Sequence, residues 1–120
     1  DCFSLPQQYG VIAKSAGIIL TLKAIYQGLL KPQFCVFIGF PFYWIKERSM
    51  DVNILLQRYT TQTIFLQNLN DPQGSALQIK ILFEPLRIKK IFLSLEGNTY
   101  HYLEFKLLKK LIEKEIPKLF

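Results

Sequence analysis

The stretch "VIAKSAG", Val11 to Gly17, joins two apolar runs through one serine held between small residues. Before it, Tyr9–Ala13 (YGVIA) has the character of a short strand buried on both faces. After it, Ala16–Leu30 is apolar nearly all round and closes near Gly28, with Lys31 and Pro32 just beyond. That pattern predicts a helix set between layers. Ser15 therefore stands at a strand-to-helix turn. A serine there ordinarily caps the helix; the sharper reading makes it a nucleophile raised on a tight turn.

Outward from this stretch the same alternation recurs. Phe34–Gly39 (FCVFIG) is a second apolar strand, ended by Gly39 and Pro41. Asp51–Tyr59 reads as a helix, with Asp51 at its N-cap and Ile54, Leu55 and Tyr59 on one side. Thr63–Gln67 (TIFLQ) is a third strand, followed by the turn-rich "NLNDPQGS" and a helix over Ala76–Leu82. Lys90–Leu95 (KIFLSL) is a fourth strand, and "EGNTYHY" is the loop after it. The last helix, Glu104–Glu115, shows helical spacing at Phe105, Leu108, Leu111, Ile112 and Glu115. Uninterrupted strands alternating with helices predict an α/β fold, a mostly parallel sheet with helices on both faces. Right-handed crossovers then gather the loops after each strand along one edge. That edge would collect Ser15, the Gly39–Pro41 turn, the Asn70–Asp71 loop and His101.

Composition narrows the alternatives. The 120 residues suit one domain, and half of them are hydrophobic. The most apolar stretch, Gly10–Leu30, carries Lys14 and Lys23, so no run has the ~18–20 uninterrupted apolar residues of a membrane span. The net charge of +6 is dispersed. Arg87, Lys89 and Lys90 form one group; Lys106, Lys109, Lys110, Lys114 and Lys118 alternate with Glu104, Glu113 and Glu115, as on a solvated helix face. No nucleic-acid-binding motif accompanies them, and nucleic acid is not expected as a partner. Cys2 and Cys35 have no spacing that suggests a metal site or a disulfide framework. Reduced thiols and a cytoplasmic location are expected, with no metal and no cofactor. Nothing near Asp1 resembles a targeting segment, and a chain opening on Asp1 suggests an excerpt or a processed product.

The chemistry-bearing residues converge. A serine hydroxyl attacks well only when a base takes its proton and a third group orients that base. His101 is the single histidine of the chain, and it lies in one strand-end loop. Asp71 lies in another, and Ser15 in a third. Blander readings stand beside these: "NDP" at Asn70–Pro72 is an ordinary turn in which aspartate bonds its own backbone, and His101 is an exposed loop residue. Glu84 and Glu96 are the other acids available to orient a histidine. Lys14 has no S-x-x-K partner. Tyr100 and Tyr102 read as packing or pocket wall, and Asn98 as a bonding group in the histidine loop. Phe40, Phe42, Tyr43 and Trp44 read either as an acyl pocket, chiefly Phe40, Phe42 and Trp44, or as plain hydrophobic cover.

The segment "AKSAG", Ala13 to Gly17, resembles the nucleophile elbow of the α/β-hydrolase family, G-x-S-x-G between strand and helix. Ala13 stands where the first glycine would be, and Gly17 fills the second position. The order Ser15, Asp71, His101 is similar to that family's Ser…Asp/Glu…His order. "TIFLQNLNDPQGS" resembles the family's seventh strand with its acid loop, and "KIFLSLEGNTYHYLEF" its eighth strand, histidine loop and terminal helix. The resemblance covers nearly the whole chain but only strands five to eight of the fold, so residues 1–120 would form a C-terminal portion of a longer hydrolase-like domain. It leaves Phe42–Tyr59 as a small helical cover.

What the resemblance implies is acyl transfer from an ester-type small molecule to water by a Ser15–His101–Asp71 triad. The backbone N–H of Ala16 would serve the oxyanion hole. A second donor in this family comes from a loop with no counterpart here, so these residues alone would be a weakened enzyme. The edge of the Tyr9–Ala13 strand would then need cover from a missing N-terminal half or a partner chain. A non-catalytic protein or fragment of the same fold, binding a ligand or partner through the same pocket, is the other function class.

Overall fold

The computed structural model describes residues 8–99, 102 and 105–120. Its centre is one sheet of four parallel strands: β1 Gly10–Lys14, β2 Phe34–Ile38, β3 Gln62–Asn68 and β4 Lys90–Leu95, in the spatial order β1-β2-β3-β4. Between them run α1 (Ala16–Tyr26), the short pair α2 (Phe42–Glu47) and α3 (Val52–Leu56), and α4 (Ala76–Phe83). The chain closes with α5 (Phe105–Glu115) and a 3₁₀ turn over Ile116–Leu119.

Register explains how apolar runs serve two layers. Ala13, Phe37, Phe65 and Phe92 lie side by side across the four strands. They face a core completed by Ile18, Ile19 and Leu22 of α1 and Ile79 and Phe83 of α4. Phe65 stacks on Phe92 at 4.9 Å and meets Phe83 at 4.4 Å, so ring packing ties the middle of this layer together. On the opposite face, Val36, Ile38, Ile64 and Leu66 pack against Leu108 and Ile112 of α5 and Leu119. Alternation along each strand thus feeds helices on both faces, the α/β arrangement expected from the unbroken Val/Ile/Phe runs. On β1 that second face is thinly covered: Ile12, in register with Val36, remains 53% exposed.

Two helices end earlier than expected. Helix α1 stops at Tyr26 rather than Leu30, because Gly28 adopts φ 77°. The N–H groups of Gly28 and Leu29 then bond the carbonyls of Ile25 and Ala24, which closes the helix as a Schellman motif. Leu20 is 68% exposed, so α1 keeps one side open rather than lying wholly between layers. Helix α3 ends at Leu56 rather than Tyr59; Tyr59 turns into the core and its hydroxyl bonds Thr63 Oγ1 at 2.6 Å. Leu56, not the exposed Ile54, is its buried residue, while Asp51 does cap it, accepting from the Asn53 N–H. The lysines at 106, 109, 110, 114 and 118 and Glu113 are exposed, a solvated face as expected; Glu115 departs from it, being buried and paired with Lys118 at 2.8 Å, and Glu104 lies outside the described residues. Among the described residues no helix is long and apolar enough to cross a membrane.

Candidate active site

The C-terminal ends of the strands open into a cleft of about 310 Å³ lined by Lys14, Ser15, Gly39, Pro41, Trp44, Asp71, Gln73 and Tyr102. Each strand end delivers its loop to this edge, as the parallel topology requires. Ser15 and Asp71, both expected on this edge, line the cleft together. His101 lies outside the described residues, as do Tyr100 and Cys2.

Ser15 follows β1 and precedes α1 with φ 53° and ψ −127°. An L-residue in this region is under strain of about 1–3 kcal/mol, which the surrounding structure has to impose. The imposing contacts are visible. The Ser15 N–H bonds the Ile38 carbonyl at 3.0 Å, extending the β1–β2 ladder one step, while its own carbonyl accepts from the Ile18 N–H at 2.9 Å to begin the helix. The chain must reverse between those two bonds within one residue. The Ser15 side chain makes no capping bond, so the ordinary reading of this serine as an N-cap does not hold. Its neighbour Ala16 is the first helical residue, and an N–H at that position has no acceptor within its own helix. Of the flanking small residues, Ala13 is buried against the core, whereas a Cβ on Gly17 would meet nothing within 4 Å.

Asp71 is only 4% exposed and its two oxygens are differently engaged. Oδ1 accepts from the Gln73 N–H at 2.8 Å, the local turn that "NDP" suggests. Oδ2 accepts from the Tyr102 hydroxyl at 2.6 Å. That hydroxyl also accepts from the Asn68 N–H at 3.0 Å, at the end of β3. Burial, and then the bond to Asp71, push the Tyr102 phenol well above its ordinary pKa, so it stays protonated and donates. Lys14 stands 5.9 Å from the Tyr102 ring centre.

The loop after β4 is stitched to the acid loop on both sides of the histidine position. Before it, Asn70 N–H bonds the Gly97 carbonyl at 3.0 Å, Asn70 Nδ2 bonds Asn98 Oδ1 at 3.0 Å, and Asn68 Nδ2 bonds the Thr99 carbonyl at 2.9 Å. After it comes the Tyr102 contact with Asp71. Glu96 and Glu84 are exposed and do not line the cleft; Glu84 sits at the far end of α4, on the opposite edge of the sheet.

Of the three aromatic residues expected in a pocket, Trp44 lines this cleft, with the Arg48 guanidinium 4.0 Å over its ring. Phe40 does not; it is core, edge-on to Phe83 at 5.0 Å. Phe42 instead lines a second, apolar hollow with Phe40, Met50 and Leu82. Phe40 follows directly on the turn at Gly39, which has φ 67°.

Two residues important to the site escaped the sequence reading. Gln67 is 3% exposed at the end of β3. Its Oε1 accepts from the Phe40 N–H at 2.8 Å and its Nε2 donates to the Gly74 carbonyl at 2.7 Å, clamping the loop after β2 to the acid loop. Gln73 orients Asp71 through its N–H and accepts from the Trp44 N–H at 3.0 Å through Oε1. A glutamine closing the apolar run "TIFLQ" was the available signal for the first, since a buried amide needs partners. Nothing in the sequence marks the second.

Compared with known proteins, the chain matches no family model, no curated protein and no solved structure.

Proposed function

We propose that this protein is a serine hydrolase that transfers the acyl group of an ester-type substrate to water through Ser15, His101 and Asp71. The observation that carries the reading is the backbone of Ser15: a serine held at φ 53° between strand and helix, with its side chain spent on no cap. A strained, non-glycine residue at the mouth of a cleft is where function is to be sought. The resemblance of "AKSAG" to the α/β-hydrolase elbow, and of the serine–acid–histidine order to that family's, point the same way. The β1-β2-β3-β4 order is compatible with strands five to eight of such a fold.

In this mechanism Ser15 Oγ attacks the carbonyl carbon as His101 takes the hydroxyl proton. The oxyanion is met by the Ala16 N–H, at the positive end of the α1 dipole. Collapse of the tetrahedral intermediate breaks the acyl–oxygen bond, and His101 returns the proton to the departing alcohol. Water then attacks the acyl-serine with His101 again as base, releasing acid and restoring Ser15. Asp71 holds the imidazole's tautomer and offsets its charge.

The test is intact mass after treatment with a fluorophosphonate probe, with the adduct mapped by peptide sequencing. One adduct at Ser15, absent in His101→Ala, is the expected result. A folded protein that takes no adduct would instead fit a non-catalytic protein that binds ligand or partner on this fold.

A further inference from the structure

We propose that Tyr102 is a positioning residue that fixes the rotation of the Asp71 carboxylate and takes up part of its hydrogen-bonding capacity; this rests on the hydrolase reading above. A carboxylate turns easily about its Cβ–Cγ bond, where rotamer preference is broad. Asp71 is denied that freedom by two donors of opposite origin. The Gln73 N–H, two residues along the same turn, takes Oδ1, and the Tyr102 hydroxyl, from beyond β4, takes Oδ2. Each oxygen keeps a further lone pair, so both bonds are compatible with a third from an imidazole.

Tyr102 is itself held from three strand ends. The Asn68 N–H at the end of β3 bonds its hydroxyl. Gly39, after β2, lies so close that a Cβ there would come within 2.8 Å of the ring. Lys14, at the end of β1, approaches the ring with its ammonium. A tyrosine that needed only to fill space would not require its hydroxyl in a 2.6 Å bond to a buried carboxylate. Tyr102 also follows His101 directly in the chain, so the residue that holds the acid is the covalent neighbour of the residue the acid would orient.

Hydrogen bonding to a carboxylate stabilises its charged form and draws on its capacity to accept elsewhere. With the Tyr102 hydroxyl removed, Asp71 becomes the stronger acceptor toward an imidazolium, and the histidine holds its proton to higher pH. Among the described residues, the other titratable group lining the cleft is Lys14 of β1; Gly39 and Pro41 after β2, and Trp44 of α2, bring none.

The experiment is the pH profile of the fluorophosphonate labelling rate for wild type and Tyr102→Phe, which retains the ring. The variant should label more slowly by about tenfold to a hundredfold, from misplacement of the acid. Its acid limb should move up by roughly half to one pH unit. In an Asp71→Asn background, Tyr102→Phe should add little, because its route runs through that carboxylate. A limb that stays in place or moves down overturns the proposal, whatever the rate, and so does full additivity with Asp71→Asn. A wild-type protein that never labels removes the hydrolase reading itself, an outcome separable from the others because the control fails first.

Discussion

Two serines stand immediately before helices in this chain, and the molecule uses them in opposite ways. Ser75, before α4, has φ −67° and ψ 158°, ordinary extended backbone. Its Oγ accepts from the Gln78 N–H at 3.2 Å while Gln78 Oε1 accepts from the Ser75 N–H at 2.8 Å, a complete capping box. Ser15, before α1, is strained at φ 53° and its hydroxyl caps nothing. Helix α1 tolerates this because Ile18, Ile19, Thr21 and Leu22 bury its inner face. One serine serves its helix; the other is held against the backbone's preference at the edge of a cleft.

The largest effect that could break this contrast is chemical. Ser15→Ala should lower fluorophosphonate labelling and ester turnover by about a thousandfold or more, and His101→Ala comparably. Ser75→Ala should leave both rates close to wild type, measured by quantitative mass spectrometry on matched samples. Labelling that persists in Ser15→Ala would show that the strained serine is not the nucleophile.

Next in size is a change in stability at the neighbouring strand end. Gly39 follows Ile38 of β2, which pairs with Lys14 of β1, so Gly39 and Ser15 occupy equivalent places on adjacent strands. Both have positive φ, 67° and 53°, but only glycine adopts that backbone freely. Gly39→Ala should therefore cost about 2 kcal/mol in urea unfolding. The strain would be joined by a methyl group 2.8 Å from the Tyr102 ring. An unchanged midpoint would mean that this edge yields easily, and would weaken the claim that it can hold Ser15 under strain.

How far the sequence spoke for this site follows from the same physics. The four strands were legible because Val, Ile and Phe in unbroken runs have few other uses in a chain of this size; Lys90–Leu95 agrees residue for residue. Strand ends converge by topology, so Ser15 and Asp71 could be placed on one edge before any distance was known. Helix α2 was not resolved from its surroundings, because "FYWIKE" behind a proline is too short to show periodicity. The bond from Tyr102 to Asp71 was beyond reach for a different reason. A tyrosine hydroxyl's partner depends on where three loops come to rest, and spacing along the chain carries no trace of that. Phe40 shows the limit from the other side: its aromatic type suited a pocket and a core equally, and it lies in the core.

Ser75→Ala tests the other half of the comparison at smaller scale. Loss of its side-chain acceptor should cost about 1 kcal/mol, read from urea unfolding of a protein whose labelling rate is unaltered. Ser15→Ala should not show that loss, since no capping bond exists there to lose. Equal destabilisation by the two would mean that Ser15 does cap α1 in solution.

The smallest effect is the most diagnostic, because its sign is at stake. Ser15→Gly removes the Cβ that makes φ 53° costly, and it leaves intact the two backbone bonds that force the turn. Glycine also widens the unfolded ensemble, which opposes the gain by about 0.4–1 kcal/mol. The strain relieved, about 1–3 kcal/mol, is the larger quantity. The variant should therefore unfold at slightly higher urea than wild type while losing all labelling. The corresponding Ser75→Gly should be slightly less stable than wild type, because a capping bond is lost and no strain is relieved. If Ser15→Gly proves less stable, the turn holds serine for structural reasons of its own, and its positive φ is no sign of chemistry. If it proves more stable and inert, the serine is retained at a cost to the fold, and chemistry at the cleft is what that cost secures.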